Sequence, residues 1–147
     1  MKKFSPSRNI QGFSLLEVMV VLVIIGIIAS MVVPNLMGSQ DTAREQKAVI
    51  DIGSLETALG MYRSQNYNYP TTEQGLEALV TETDIEPLPK RFPEGGYIKR
   101  LPQDPWGNDY QLLNPGERGK IDIFSMGPDG EAGTDDDIGN WNLGDYQ

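Results

Sequence analysis

The sequence predicts an α+β protein built on one long N-terminal α-helical spine, and three observations carry that prediction. An apolar stretch over residues 13–33 holds a single charge and leads into a segment whose apolar residues recur at helical spacing. Two short alternating stretches, 110–113 and 121–125, flank a cluster of turn formers and read as antiparallel strands. A loop rich in glycine and acid comes after them, over 126–138. Together these describe a spine packed against a small antiparallel sheet, with a C-terminal loop suited to a cation.

Composition narrows the chemistry. The 147 residues suffice for one domain with a modest core. The chain has no Cys and no His. Disulfides, thiolate or imidazole metal sites and histidine acid–base catalysis are therefore excluded. The formal net charge is −9, unevenly spread: Lys2, Lys3 and Arg8 precede Gly12 with no acid among them, and without these three the charge becomes −12. Such a charge argues against a nucleic-acid partner, which needs a cationic footprint.

Residues 13–33 read FSLLEVMVVLVIIGIIASMVV, with Glu17 as the lone charge. Twenty-one helical residues reach about 31 Å, the thickness of a bilayer core. Basic residues before the segment and acidic ones after it place the N-terminus in the cytoplasm and the C-terminal domain across the membrane. A cleaved secretory signal fits poorly, because the apolar run is too long and lacks a small-x-small site at its far end. A plain anchor leaves Glu17 unaccounted for, since a charge in hydrocarbon costs roughly 2.5–3.5 kcal/mol on insertion scales.

The pattern Gly12-Phe13-Ser14-Leu15-Leu16-Glu17 ahead of this run resembles the processing signal of type IV pilins and pseudopilins. That resemblance implies a cut after Gly12 by a prepilin peptidase on the cytoplasmic side. It also implies N-methylation of Phe13 and retention of the apolar segment for assembly. Glu17 becomes the fifth mature residue. Its carboxylate can then meet the new α-ammonium of a neighbouring copy, a pairing favoured over either charge alone in a low-dielectric bundle. Glu17 is expected to set the register of the polymer.

Beyond the apolar run, Pro34 removes a helix hydrogen bond and favours a kink. Ile52, Leu55, Leu59 and Tyr62 then mark one helical face, with Arg44, Glu45, Lys47, Asp51 and Arg63 on the other side. One helix is expected from about residue 14 to about residue 65, bent near Pro34. Residues 66–70 end it with turn formers and a proline. Thr71 with Gln74 fits a capping box, and Leu76, Leu79 and Val80 give a short helix its apolar face. Residues 83–96 read as a loop. A turn over 104–108 carries Trp106 as an expected core anchor, and 114–116 supply the turn after the first strand.

The stretches YPTTEQGLEAL, LPQDPWGNDYQ, IDIFSMGPDG and DIGNW resemble one branch of the superfamily, the major pseudopilins of type II secretion systems (general secretion pathway protein G). The resemblance covers nearly the whole chain. It implies a cleaved leader over 1–12, a transmembrane and assembly helix over 13–34, and a periplasmic pseudopilin domain over 35–147. The implied protein is a non-enzymatic subunit of the Gram-negative inner membrane that polymerises into a periplasmic pseudopilus, driving export of folded proteins across the outer membrane. Its implied partners are further copies of itself, the prepilin peptidase, minor pseudopilins and inner-membrane platform proteins. A cytoplasmic ATPase would supply the work. The alternative is a type IV pilin forming a surface fibre; many of those close a C-terminal loop with a Cys pair, which this chain lacks.

The loop 126–138 holds five acids in thirteen residues. Carboxylates and glycine-freed carbonyls are hard oxygen ligands, which suit Ca²⁺. The EF-hand spacing is missing, and composition alone leaves a solvated acidic loop equally open. A local run of Asp does not place two carboxylates across a cleft, so a glycosidase is a poor alternative. The family resemblance implies one structural calcium, held by the side chains of Asp129, Asp136 and Asp137 and the main-chain carbonyl of Met126. Glu131 and Asp135 are further candidates.

Overall fold

The spine is a single helix, α1, spanning Leu15–Asn66 over 52 residues. It is seen in a computed structural model that describes residues 14–146, the side chains of 31–39 excepted. The helix limits fall within one residue of the expected ones, and the helix is not interrupted at Pro34. The chain divides into two compact units, Met1–Ser39 and Gln40–Gln147.

In the first unit, the large apolar side chains from Leu15 to Ile28 are all exposed. A helix apolar on every side has no solvent-facing stripe and suits lipid or other apolar helices. Among the described residues no helix is long and apolar enough to cross a membrane. The expected span over 13–34 includes residue 13 and the side chains of 31–34, which lie outside the described residues.

In the second unit α1 becomes one-sided. Ala48, Ile52, Leu55, Ala58, Leu59 and Tyr62 are buried, in steps of three and four that form one stripe. They meet Leu76, Leu79, Tyr110, Leu112, Ile121, Ile123 and Ile138 in a single core. All four residues expected on the apolar face lie in it. Asp51, expected on the polar side, is half-buried. Its Oδ2 accepts from Lys47 Nζ at 2.6 Å and from the Tyr110 hydroxyl at 2.9 Å, which ties the helix to the strand region.

The sheet has three antiparallel strands in the order β1-β2-β3: Gln111–Leu113, Asp122–Ser125 and Ile138–Gly139. Leu112 faces Ile123, and Ser125 faces Ile138. The central strand is buried along its whole length: Ile123 enters the core, while Phe124 packs against Trp141 in a tilted pair with ring centroids 5.7 Å apart. The first two strands start one residue later than expected. The sequence pattern does not predict the third, because two residues carry no alternation to read.

Over residues 71–80 the expected short helix gives way to a tighter turn. The capping box is present in both directions, Gln74 N–H to Thr71 Oγ1 at 3.1 Å and Thr71 N–H to Gln74 Oε1 at 2.9 Å. Past the box, Leu76–Leu79 form a 3₁₀ turn rather than an α-helix, since Gly75 at φ 61° leaves the α path. The loop 83–96 has no regular structure, as expected, and two buried amides hold it. Gln74 Nε2 donates to the carbonyls of Ile85 and Pro87. Asn66 donates to the Tyr62 carbonyl and the Tyr97 hydroxyl while accepting the Arg91 N–H at 2.8 Å. Trp106 is half-buried against the core, at the tip of the expected turn.

Candidate functional sites in the helix and the acidic loop

Two regions bear the candidate residues. Of the processing and assembly residues, Gly12 and Phe13 lie outside the described residues. Glu17 sits in the first turn of α1, where the partial positive charge of the helix end favours a carboxylate. It is exposed. The ion pairs among the described residues, Arg44–Asp41 and Lys47–Asp51, do not involve it.

The acidic loop is the connection between β2 and β3. Because Ser125 pairs with Ile138, Met126 and Asp137 stand at its two stems, which brings the first and last candidate ligands together across eleven residues of sequence. Within the loop, the Asp129 N–H donates to Asp136 Oδ2 at 3.2 Å, and the Thr134 hydroxyl donates to Asp136 Oδ1 at 2.5 Å. These bonds, that from Thr134 foremost, hold the Asp136 carboxyl below the usual carboxylate range. Asp129 is exposed, and its Oδ1 accepts the Glu131 N–H at 2.8 Å. Glu131 and Asp135 are also exposed.

Asp137 differs from its neighbours. It is buried, and Oδ2 accepts the Gly133 N–H at 2.7 Å. Its other oxygen, Oδ1, is buried with no hydrogen-bond partner among the described residues. An orphan carboxylate oxygen is costly unless something outside the protein's own donors satisfies it. A cleft of about 210 Å³ beside it is lined by Asp137, Gly133, Arg118 and Trp141 among others. Met126 is half-buried. Among the described residues no three acidic side chains draw together into a group that could hold a metal.

Sequence reasoning missed the groups that brace this loop. Asp104 is buried; its Oδ1 accepts the N–H groups of Trp106 and Asn108 at 3.0 and 2.7 Å, and its Oδ2 accepts the Ser125 hydroxyl at 2.6 Å. The first two bonds are readable from the turn chemistry of D-P-W-G-N. The third spans 21 residues and leaves no local signal. Asp122 is likewise buried but braces the β1–β2 connection instead, with three backbone N–H groups of residues 117–119 on its two oxygens.

Residues 35–141 match the family described as type II secretion system (T2SS), protein G, and residues 7–33 match the prokaryotic N-terminal methylation motif. The chain belongs to the type II secretion system protein G family. The type II secretion system core protein G of Aeromonas hydrophila is 68% identical over 140 residues, 95% of this chain and 98% of that one. Its counterpart of that name in Vibrio cholerae serotype O1 is 61% identical over 143 residues, 95% and 97% of the two chains. Among solved structures, the major pseudopilin from the type 2 secretion system of enterohaemorrhagic Escherichia coli is 60% identical. It superposes with a TM-score of 0.69 over 76% of this chain and 97% of that one. The long helix and small antiparallel sheet are thus the fold of the protein G family, and the methylation motif marks this member as an envelope protein associated with a membrane.

Proposed function

We propose that this protein is a structural, non-enzymatic subunit that polymerises into the periplasmic pseudopilus of a type II secretion system, and so drives folded proteins across the outer membrane. The observation that carries this reading is the protein G match over residues 35–141 joined to a methylation motif over 7–33. In this reading the prepilin peptidase cuts after Gly12 and Phe13 is methylated. The helix over 13–34 crosses the inner membrane once, with the domain 35–147 in the periplasm of a Gram-negative cell. Glu17 pairs with the α-ammonium of a neighbouring copy. Minor pseudopilins and inner-membrane platform proteins complete the assembly. The test is complementation of a Gram-negative host lacking its own major pseudopilin. Restored export of a folded exoprotein is the expected result; processed, stable protein with no export and no multimers would overturn the reading.

The loop 126–138 is proposed to hold one structural Ca²⁺. The side chains of Asp129, Asp136 and Asp137 and the carbonyl of Met126 would hold it. The unpartnered buried Oδ1 of Asp137 supports that set. When bound, the ion supplies positive charge to a loop whose adjacent carboxylates otherwise repel.

A further inference from the structure

Ser125 is fully buried in β2, one residue before Met126 and the start of the acidic loop. Its hydroxyl has one hydrogen, and Asp104 Oδ2 accepts it at 2.6 Å. The Ser125 oxygen is thereby left as an acceptor, and the Gly127 N–H donates to it at 3.1 Å. Asp104 also reaches the loop by a second route. It fixes the Asn108 backbone at 2.7 Å, and Asn108 Nδ2 donates to the Gly127 carbonyl at 3.4 Å. Both polar groups of the Gly127 backbone are therefore set by Asp104, which lies outside the loop.

Gly127 in turn abuts Asp136. At φ 64° its Cα faces the far side of the loop so closely that a Cβ there would stand 2.5 Å from the Asp136 carbonyl oxygen and 2.7 Å from Oδ2. Placing Gly127 therefore places Asp136. The path runs from Asp104 through Ser125 to Gly127 and then, by direct packing, to one of the proposed ligands.

We propose that Asp104 and Ser125 are positioning residues for the calcium site, acting through Gly127 on Asp136. The inference rests on the calcium reading above. Neither residue contacts the ion; their effect is to hold the loop in its binding shape before the ion arrives, so that less ordering is left for binding to oppose.

The test uses the full chain in detergent micelles, titrated with Ca²⁺ by calorimetry and melted in EDTA. Ser125→Ala removes the relay and should weaken calcium affinity about tenfold, the scale of losing a hydrogen bond to a charged group. Asp104→Asn keeps the shape but presents a donor to Ser125, and should weaken affinity in the same direction even if Ser125→Ala folds poorly. Variants that melt lower in EDTA yet bind Ca²⁺ as tightly as the unmutated chain would show a merely structural role and overturn the inference alone. Absence of calcium binding by the unmutated chain would overturn the calcium reading, and this inference with it.

Discussion

Tyr110 shows what a single buried polar atom can do to the pH response of the fold. Burial, then the hydrogen bond to Asp51, then the charges of Asp51 and Asp104 push its phenol well above the ordinary value of 10.0. A group raised on folding contributes stability that is complete below the unfolded value and is lost as pH climbs from there through the folded value. The protein should therefore lose stability progressively above pH 10. Tyr110→Phe should shallow that loss while costing about 1–2 kcal/mol at neutral pH through the missing bond to Asp51. Urea unfolding at pH 8 and at pH 10.5 checks both parts, and an unchanged alkaline slope would count against this account. Tyr62 and Tyr146, also raised by burial first, leave some slope behind. None of this is legible in the sequence, where Asp51 reads as a solvated charge. Gln74 and Thr71 are legible because their reciprocal bonds lie three residues apart. Asn66 and Asp104 are legible only in part: their bonds to Tyr62 and to the turn 106–108 are local, while those to Tyr97, Arg91 and Ser125 exist only in the tertiary fold.

At the scale of elements, α1 and the acidic loop differ in how much they depend on distant contacts. The helix announces itself through a period that survives in Ile52, Leu55, Leu59 and Tyr62. Its packing partner β3 does not, being two residues long and defined only by pairing with Phe124 and Ser125. The loop is legible as an acid-rich connection, yet the reason its stems meet is that same pairing. Glu17 belongs to this scale because its proposed task is to align one α1 with the next. Glu17→Ala should be processed normally but assemble poorly. Removing one partner of a buried ion pair costs roughly 3–5 kcal/mol, so cross-linked multimers should fall by more than tenfold. Multimers at the normal level, measured by cysteine cross-linking in a complemented strain, would remove Glu17 from its proposed role.

For the molecule as a whole, stability without disulfides makes a bound ion consequential. The loop closes β2 to β3, and β2 is the central strand of the sheet. A ligand that binds only the folded state stabilises it in proportion to the logarithm of its excess over Kd. EDTA should lower the Tm of the full chain in micelles, and added Ca²⁺, but not an equal ionic strength of NaCl, should restore it. A Tm indifferent to both would leave the acidic loop as a solvated one.

The apolar flank from Leu15 to Ile28 is exposed on every side, and that bears on how a fibre could grow. Lipid tails are about as apolar as leucine, so moving this surface from bilayer to a bundle of like helices changes its solvent hardly at all. The solvation of this flank therefore neither drives nor opposes assembly from the membrane, provided no helix passes through water on the way. The direction of growth is then left to the specific contacts between copies, the proposed Glu17 pair among them, rather than to the apolar surface itself.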